Sequence, residues 1–200
     1  MVVLDAGHGG TDAGARGPAG VLEKDVVLVM ARTVRNELER QGYQVVLTRE
    51  GNDNPSLEDR TALANAQHGF LFVTLHVSST GPAGTARAYY YGGIKPDAAV
   101  SPSPPGLTRW EEGQVPYAAL SRHFAELLQV QFGLKFRGSS EIPSPAAVRQ
   151  LRSVAGPAVA VEISSVAADS RALLDMSSGL AAAILRATEA FRPLYEAEAR

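Results

Sequence analysis

Apolar residues fall along the chain in two alternating kinds of run. Val2–Ala6, Tyr43–Thr48, Phe70–His76, Ala86–Tyr91 and Ala158–Ile163 are short and dominated by Val, Leu, Ile, Phe, Tyr and Ala, the pattern of β-strands. The unbroken hydrophobicity of Phe70–Leu75 predicts a strand buried on both faces. Between the strands the period lengthens. From Glu23 to Gln41, Val27, Met30, Val34 and Leu38 recur at helical spacing, and Gly42 stands where a helix-terminating glycine is expected. Ser56 followed three residues later by Asp59 is an N-cap signal for a helix running to Gln67. A further helix from about Tyr117 to Phe132 places Leu120, Phe124, Leu127 and Leu128 on one face, and Ser177–Phe191 reads as the last. Residues 133–157 are ambiguous. Strands alternating with helices predict an α/β fold, with a mostly parallel central sheet of about six strands flanked by helices. No internal repeat interrupts it, so residues 1–200 are expected to form a single domain.

Composition narrows the class of protein. Two hundred residues with 45% hydrophobic content can bury about 70% of the unfolded surface, enough for a core. Nineteen Lys and Arg against 21 Asp and Glu leave a net charge of −2, without the basic patch that nucleic-acid binding requires. The absence of cysteine removes disulfides, thiolate metal sites and thiol nucleophiles together. No apolar run approaches the roughly 20 residues of a membrane span. Met1 leads directly into an apolar strand, without the pattern of a signal peptide.

Chemistry-bearing residues gather at strand ends. His8 lies in Asp5-Ala6-Gly7-His8-Gly9-Gly10, directly after the first strand, where flanking glycines permit a sharp turn and leave the imidazole uncrowded. The spacing does not match a dinucleotide-binding loop. His76 closes the third strand. Glu162 sits inside Ala158-Val159-Ala160-Val161-Glu162-Ile163, where burying a carboxylate costs several kcal/mol unless it is paired or bound to metal. These three residues fall at or near strand carboxyl ends, where α/β sheets build their sites. Two histidines and a glutamate are a ligand set of catalytic zinc that leaves a fourth position for water. Glu23, at the start of a helix beside Lys24 and Asp25, reads locally as an acid that complements the helix dipole. His68 and His123 read as solvent-exposed. Local reasoning does not decide which glutamate would be a ligand and which a base.

The same residues carry a resemblance to the zinc-dependent N-acetylmuramoyl-L-alanine amidases, the amidase-3 family of cell-wall hydrolases. Val3-Leu4-Asp5-Ala6-Gly7-His8-Gly9-Gly10 resembles the family's opening strand and first metal histidine. Asp12-Ala13-Gly14-Ala15 and Leu22-Glu23-Lys24-Asp25 resemble the approach to its glutamate ligand. Leu47-Thr48-Arg49 and the Arg60-to-Asn65 helix resemble its middle section, and Leu75-His76 stands at its second histidine. Pro157-Ala158-Val159-Ala160-Val161-Glu162 resembles the strand that bears its catalytic glutamate. The resemblance implies that His8, Glu23 and His76 bind Zn2+ and that Glu162 is the general base. It also implies cleavage of the amide between the lactyl group of N-acetylmuramic acid and the L-alanine of the peptidoglycan stem. Two departures, Val77-Ser78 in place of Ala-Asn and Ile163-Ser164-Ser165-Val166 in place of a Gly-Phe pair and an Asn, fall on loops near the substrate.

Peptidoglycan is thus the expected polymer partner, with a regulatory activator protein as a further partner, no nucleic acid and no membrane span. The chain is expected to be a monomer acting in the periplasm or extracellular cell wall, with an export signal outside this sequence. Rival readings are a non-catalytic peptidoglycan-binding module of the same fold and a zinc peptidase acting on free peptides. The stretch from about Gly93 to Val115, with Pro96, Pro102, Pro104 and Pro105, has no period and reads as a loop insertion. It is expected to leave the sheet beside the metal and partly cover the site, with Trp110, Glu111 and Glu112 within reach.

Overall fold

The computed structural model describes residues 1–93 and 109–198. Six strands form one sheet: β1 (Val2–Ala6), β2 (Val45–Leu47), β3 (Leu71–Val77), β4 (Thr85–Tyr91), β5 (Ser144–Ala146) and β6 (Ala158–Ser164), in the order β2-β1-β3-β6-β4-β5. β2, β1, β3 and β6 are mutually parallel; β4 runs antiparallel to β6, and β5 parallel to β4. The helices are α1 (Glu23–Arg40), α2 (Leu57–Asn65), α3 (Ala118–Lys135), α4 (Arg149–Arg152), α5 (Ser170–Asp175) and α6 (Ser177–Glu198). The α/β class and mostly parallel sheet expected from the hydrophobic pattern are the fold observed. β5, α4 and α5 have only 3, 4 and 6 residues, too few to leave a readable period.

Alternation along the strands divides the core in two. Val2, Leu4 and Ala6 of β1, Val73, Leu75 and Val77 of β3, and Val159, Val161 and Ile163 of β6 face the larger cluster. The apolar faces of α1, α3 and α6 complete it, through residues such as Met30, Leu38, Phe124, Phe132, Leu180 and Ile184. The opposite face packs Val3, Phe72, Ala158 and Ala160 against Ala64 of α2 and Leu151 of α4. Two-residue alternation continues on that smaller face through Asp5, Thr74, His76 and Glu162, of which Asp5 and Thr74 are fully buried and His76 and Glu162 partly exposed. Ser56 caps α2 in a reciprocal box with Asp59, as the sequence predicts.

Two expectations are corrected. His68 is exposed, but His123 is only partly so: its Nε2 is buried without a partner, and its ring lies 6.4 Å from that of Phe191. The chain enters the proline-rich stretch at the end of the sheet opposite His8, Glu23 and His76. β4 begins with Thr85 opposite Ser164, at the carboxyl end of β6, and by Tyr90 lies opposite Val159, near its amino end. On the return, buried Gln114 donates from Nε2 to the carbonyls of Val154 and Gly156, just before β6. Glu111 is engaged by Arg152 at 3.1 Å. Residues 94–108, and with them most of the expected site-covering loop, lie outside the described residues. The reversal of β4 has a readable cause. Only residues 78–84 join β3 to β4, too few for the crossover that a parallel return requires.

Candidate metal centre

The site is assembled from a loop, a helix start and a strand end. β1 ends at Ala6, and the chain turns through His8, whose φ of 61° puts a non-glycine residue in the left-handed region. Two buried arginines hold that turn. Arg49 donates to the carbonyls of Ala6, Gly7, Lys24 and Gly51. Arg60 donates to those of Pro55, Ala6 and His8 and pairs with Asp5 at 2.6 Å. Asp5 is fully buried and also accepts from the hydroxyls of Thr48 and Thr74, each at 2.6 Å. Burial alone would raise its pKa, but the Arg60 charge and the two hydroxyls together hold it below the ordinary carboxylate value.

Glu23 opens α1 and turns inward, with 4% exposure. Its Oε2 accepts from the Ala15 amide at 2.7 Å and its Oε1 from the Val77 amide at 2.9 Å. The same Oε1 lies 3.2 Å from His8 Nε2 and 3.0 Å from His76 Nδ1. Burial opposes the Glu23 charge, but hydrogen bonds from His76, His8 and Ala15 outweigh it and leave the carboxyl well below its usual range. The hydrogen bond to Glu23 chiefly, against the cost of burial and with help from Asp12, raises His8 to about 9. Two glycines leave room for these side chains. A Cβ on Gly7 would lie 2.4 Å from His76 Cε1, and one on Gly14 would lie 2.5 Å from Glu23 Oε2.

His8, Glu23 and His76 each present one donor atom, and the three atoms lie within 4.8 Å of one another. The donor set suits a borderline divalent ion such as zinc. Asp12 Oδ2 occupies the other nitrogen of His8, Nδ1, at 2.8 Å, the carboxylate support that metal-bound histidines typically have. The ligand residues expected from the sequence are therefore brought together. Glu162 stands beside that trio, not within it. It is the register partner of His76 across β3 and β6, half-buried, with the Tyr89 hydroxyl 3.5 Å from its Oε1.

Asp5, Asp12, Tyr89 and Gln150 were not singled out by sequence reasoning. Asp5 had a signal, an acid inside the apolar run Val2–Ala6, which is the argument that marks Glu162. Gln150, whose amide lies 3.5 Å from His76 Nε2, had none. A cleft of about 450 Å³ lined by His8, Asp12, Asn54, Ser56 and Gln150 opens on one side of His76, and one of about 300 Å³ lined by Tyr89, Ala146, Val148, Ala160 and Glu162 on the other.

Comparison with known proteins identifies the family. Residues 2–190 match the family model Amidase_3, N-acetylmuramoyl-L-alanine amidase. The N-acetylmuramoyl-L-alanine amidase AmiC of Neisseria meningitidis is 40% identical over 91 residues, 45% of this chain and 22% of that protein. The endolysin of Bacillus phage SPP1 is 32% identical over 163 residues, 81% of this chain and 53% of the endolysin. The chain thus spans about a quarter to a half of the length of these relatives. The crystal structure of an N-acetylmuramoyl-L-alanine amidase from Clostridium difficile 630 shares the fold, with a TM-score of 0.73 at 22% identity over 96% of both chains. With the family model matching almost end to end over the strands and turns that carry His8, Glu23, His76 and Glu162, the chain belongs to the Amidase_3 family of N-acetylmuramoyl-L-alanine amidases.

Proposed function

We propose that this chain hydrolyses the amide joining the lactyl group of N-acetylmuramic acid to the L-alanine of the peptidoglycan stem, using a zinc ion held by His8, Glu23 and His76 and Glu162 as general base. The observation that carries the reading is the convergence of those three donors beside a separate carboxylate on the neighbouring strand. Zinc held there supplies Lewis acidity, which polarises a carbonyl and acidifies water. His8 is oriented by Asp12 and must give up its proton to serve as a ligand. Glu23 brings one negative charge into a buried position already satisfied by two backbone amides. Glu162 takes a proton from the attacking water as the new carbon–oxygen bond forms, then delivers it to the alanine nitrogen as the carbon–nitrogen bond breaks. The substrate implies work at the cell wall, in the periplasm or outside the cell.

Glu162→Gln tests the assignment. The amide keeps the size and removes the proton acceptor, so turnover of purified sacculi should fall by about 10²–10⁴-fold while bound zinc stays at the parent level. Loss of zinc instead would make Glu162 a ligand. Mass spectrometry of the digests should show free stem peptides and intact glycan; cleavage within the peptides would favour a peptidase, and no cleavage a binding module.

A further inference from the structure

One row of side chains crosses the carboxyl end of the sheet on its smaller face. His76 on β3 is in register with Glu162 on β6, and Glu162 with Arg87 on β4. At a strand spacing of about 4.8 Å, the Arg87 backbone lies roughly 10 Å from that of His76. Arg87 is exposed, with Nη1 3.3 Å from the Ser144 hydroxyl. The Tyr89 hydroxyl interacts with both Arg87 and Glu162 and stands between them. Arg35, Arg40, Arg60, Arg122, Arg152 and Arg186 each meet a carboxylate. Among the described residues no ion pair involves Arg87. A cation therefore stands at the rim of the site, beside the carboxylate assigned as base, with neutral hydroxyls as neighbours.

The two clefts differ in a way that gives the substrate a direction. The cleft beside α2 carries the Asp12 carboxylate with Asn54 and Ser56, and the arginine on its lining, Arg60, is already paired with Asp5. This lining suits the hydroxyl and acetamido groups of a sugar and offers an anion no uncommitted arginine. Lys24, nearby, is engaged with the Gly10 carbonyl and Asn52. The cleft toward β4 is walled by Ala146, Val148, Ala160 and Tyr89, which suits the methyl group and backbone of an alanine. The residue after L-alanine in the stem is a glutamate joined through its side chain, so its α-carboxylate is free unless amidated. In an extended peptide at about 3.3–3.6 Å per residue, that carboxylate falls about 7 Å beyond the scissile amide, toward β4 and within arginine's reach.

We infer that the stem peptide runs from the metal centre over Glu162 toward β4, and that Arg87 pairs with the α-carboxylate of the stem's second residue, an inference that rests on the amidase reading above. The test compares two synthetic muramyl peptides that differ only in whether this α-carboxyl is free or amidated. For the parent, kcat/KM should favour the acid by about 10–100-fold, the range of a charge-assisted hydrogen bond. Arg87→Gln should collapse that ratio toward one, and Arg87→Lys should restore part of it. Dissociation constants of the two peptides for the inactive Glu162→Gln protein, with and without Arg87→Gln, should show the same discrimination without turnover. An Arg87→Gln protein that keeps the parental ratio, or loses rate equally on both peptides, overturns the pairing. A parent that cleaves both peptides equally overturns it too. A parent that cleaves neither peptide nor sacculi removes the amidase reading, and this inference with it.

Discussion

Asp5 is the residue on which the first turn depends. Its carboxylate faces Arg60, Thr48 and Thr74 in a position without solvent, and Arg60 in turn holds the carbonyls of Ala6 and His8. Asp5→Asn leaves the Arg60 charge buried without its counter-ion. Breaking a buried pair in this way costs about 3–5 kcal/mol; the carbonyl bonds that Arg60 retains favour the lower end. Thermal unfolding should therefore fall by about 10 °C. The pH dependence follows from the lowered Asp5 pKa. A carboxyl whose folded value lies below its unfolded value, 3.8, contributes stability above that value and loses it as pH falls through the folded one. The gap in stability between parent and Asp5→Asn should thus be full near neutrality and close below about pH 4, as read by urea unfolding across pH. Sequence reasoning reached Glu162 and His76 because each interrupts or ends an apolar run. Glu23 was legible only by resemblance, since an acid in a helix's first turn is ordinarily explained by the dipole. Its burial against Val77 and Ala15 is decided by elements distant in the chain.

At the scale of elements, the cluster of His8, Glu23 and His76 depends on how closely β1 approaches β3. Gly7 extends the β1 ladder by donating to the Leu75 carbonyl at 3.1 Å, which puts it directly beside the His76 ring. Gly7→Ala would set a methyl group 2.4 Å from His76 Cε1, so the ring must swing away from Glu23 or the strands must part. Displaced ligand support typically lowers metal affinity by about 10–100-fold. Competition with a chromogenic chelator should show that drop, with an unchanged far-ultraviolet circular dichroism spectrum. The glycines around His8 suggest a turn from sequence alone. That one of them serves a histidine almost 70 positions away follows only from strand pairing.

A metal bound as proposed would couple to protons and to folding across the whole molecule, because His8, Glu23 and His76 come from the β1 loop, α1 and β3. Without metal, His8 has a pKa of about 9 and carries a proton at pH 7, whereas a metal ligand must be neutral. Loading at pH 7 should release about one proton. Apparent zinc affinity should rise roughly tenfold per pH unit toward about 9 and then level off. Calorimetric titrations in two buffers of different ionisation enthalpy measure the proton directly; identical heats would contradict it. Saturating zinc at about a thousand times its dissociation constant should also stabilise the fold by about 4 kcal/mol.

Sequence by itself determined the local elements and the chemical kinds of residue at their ends. Hydrophobic period, the Ser56 cap and the glycine turn are properties of neighbouring residues, and they placed β1, α1, α2, β3, β4, α3 and β6 to within a few positions; α6 starts at Ser177 as read but runs through Pro193 to Glu198, beyond the expected end at Phe191. It also supplied an acid inside β6 and histidines after β1 and near the end of β3, the part of the site that rests on local incongruity. Tertiary structure alone decided which donors meet. The buried Glu23, the Asp5–Arg60 support beneath His8 and the β4 residues beside Glu162 come from pairings across tens of residues, where the free energy lies in contacts that no local pattern records. It also set the point from which the chain enters the proline-rich stretch at the far end of the sheet. Sequence proximity to His76 suggested the near end, but a seven-residue connection cannot carry a parallel crossover, so β4 returns antiparallel and delivers its end away from His8, Glu23 and His76.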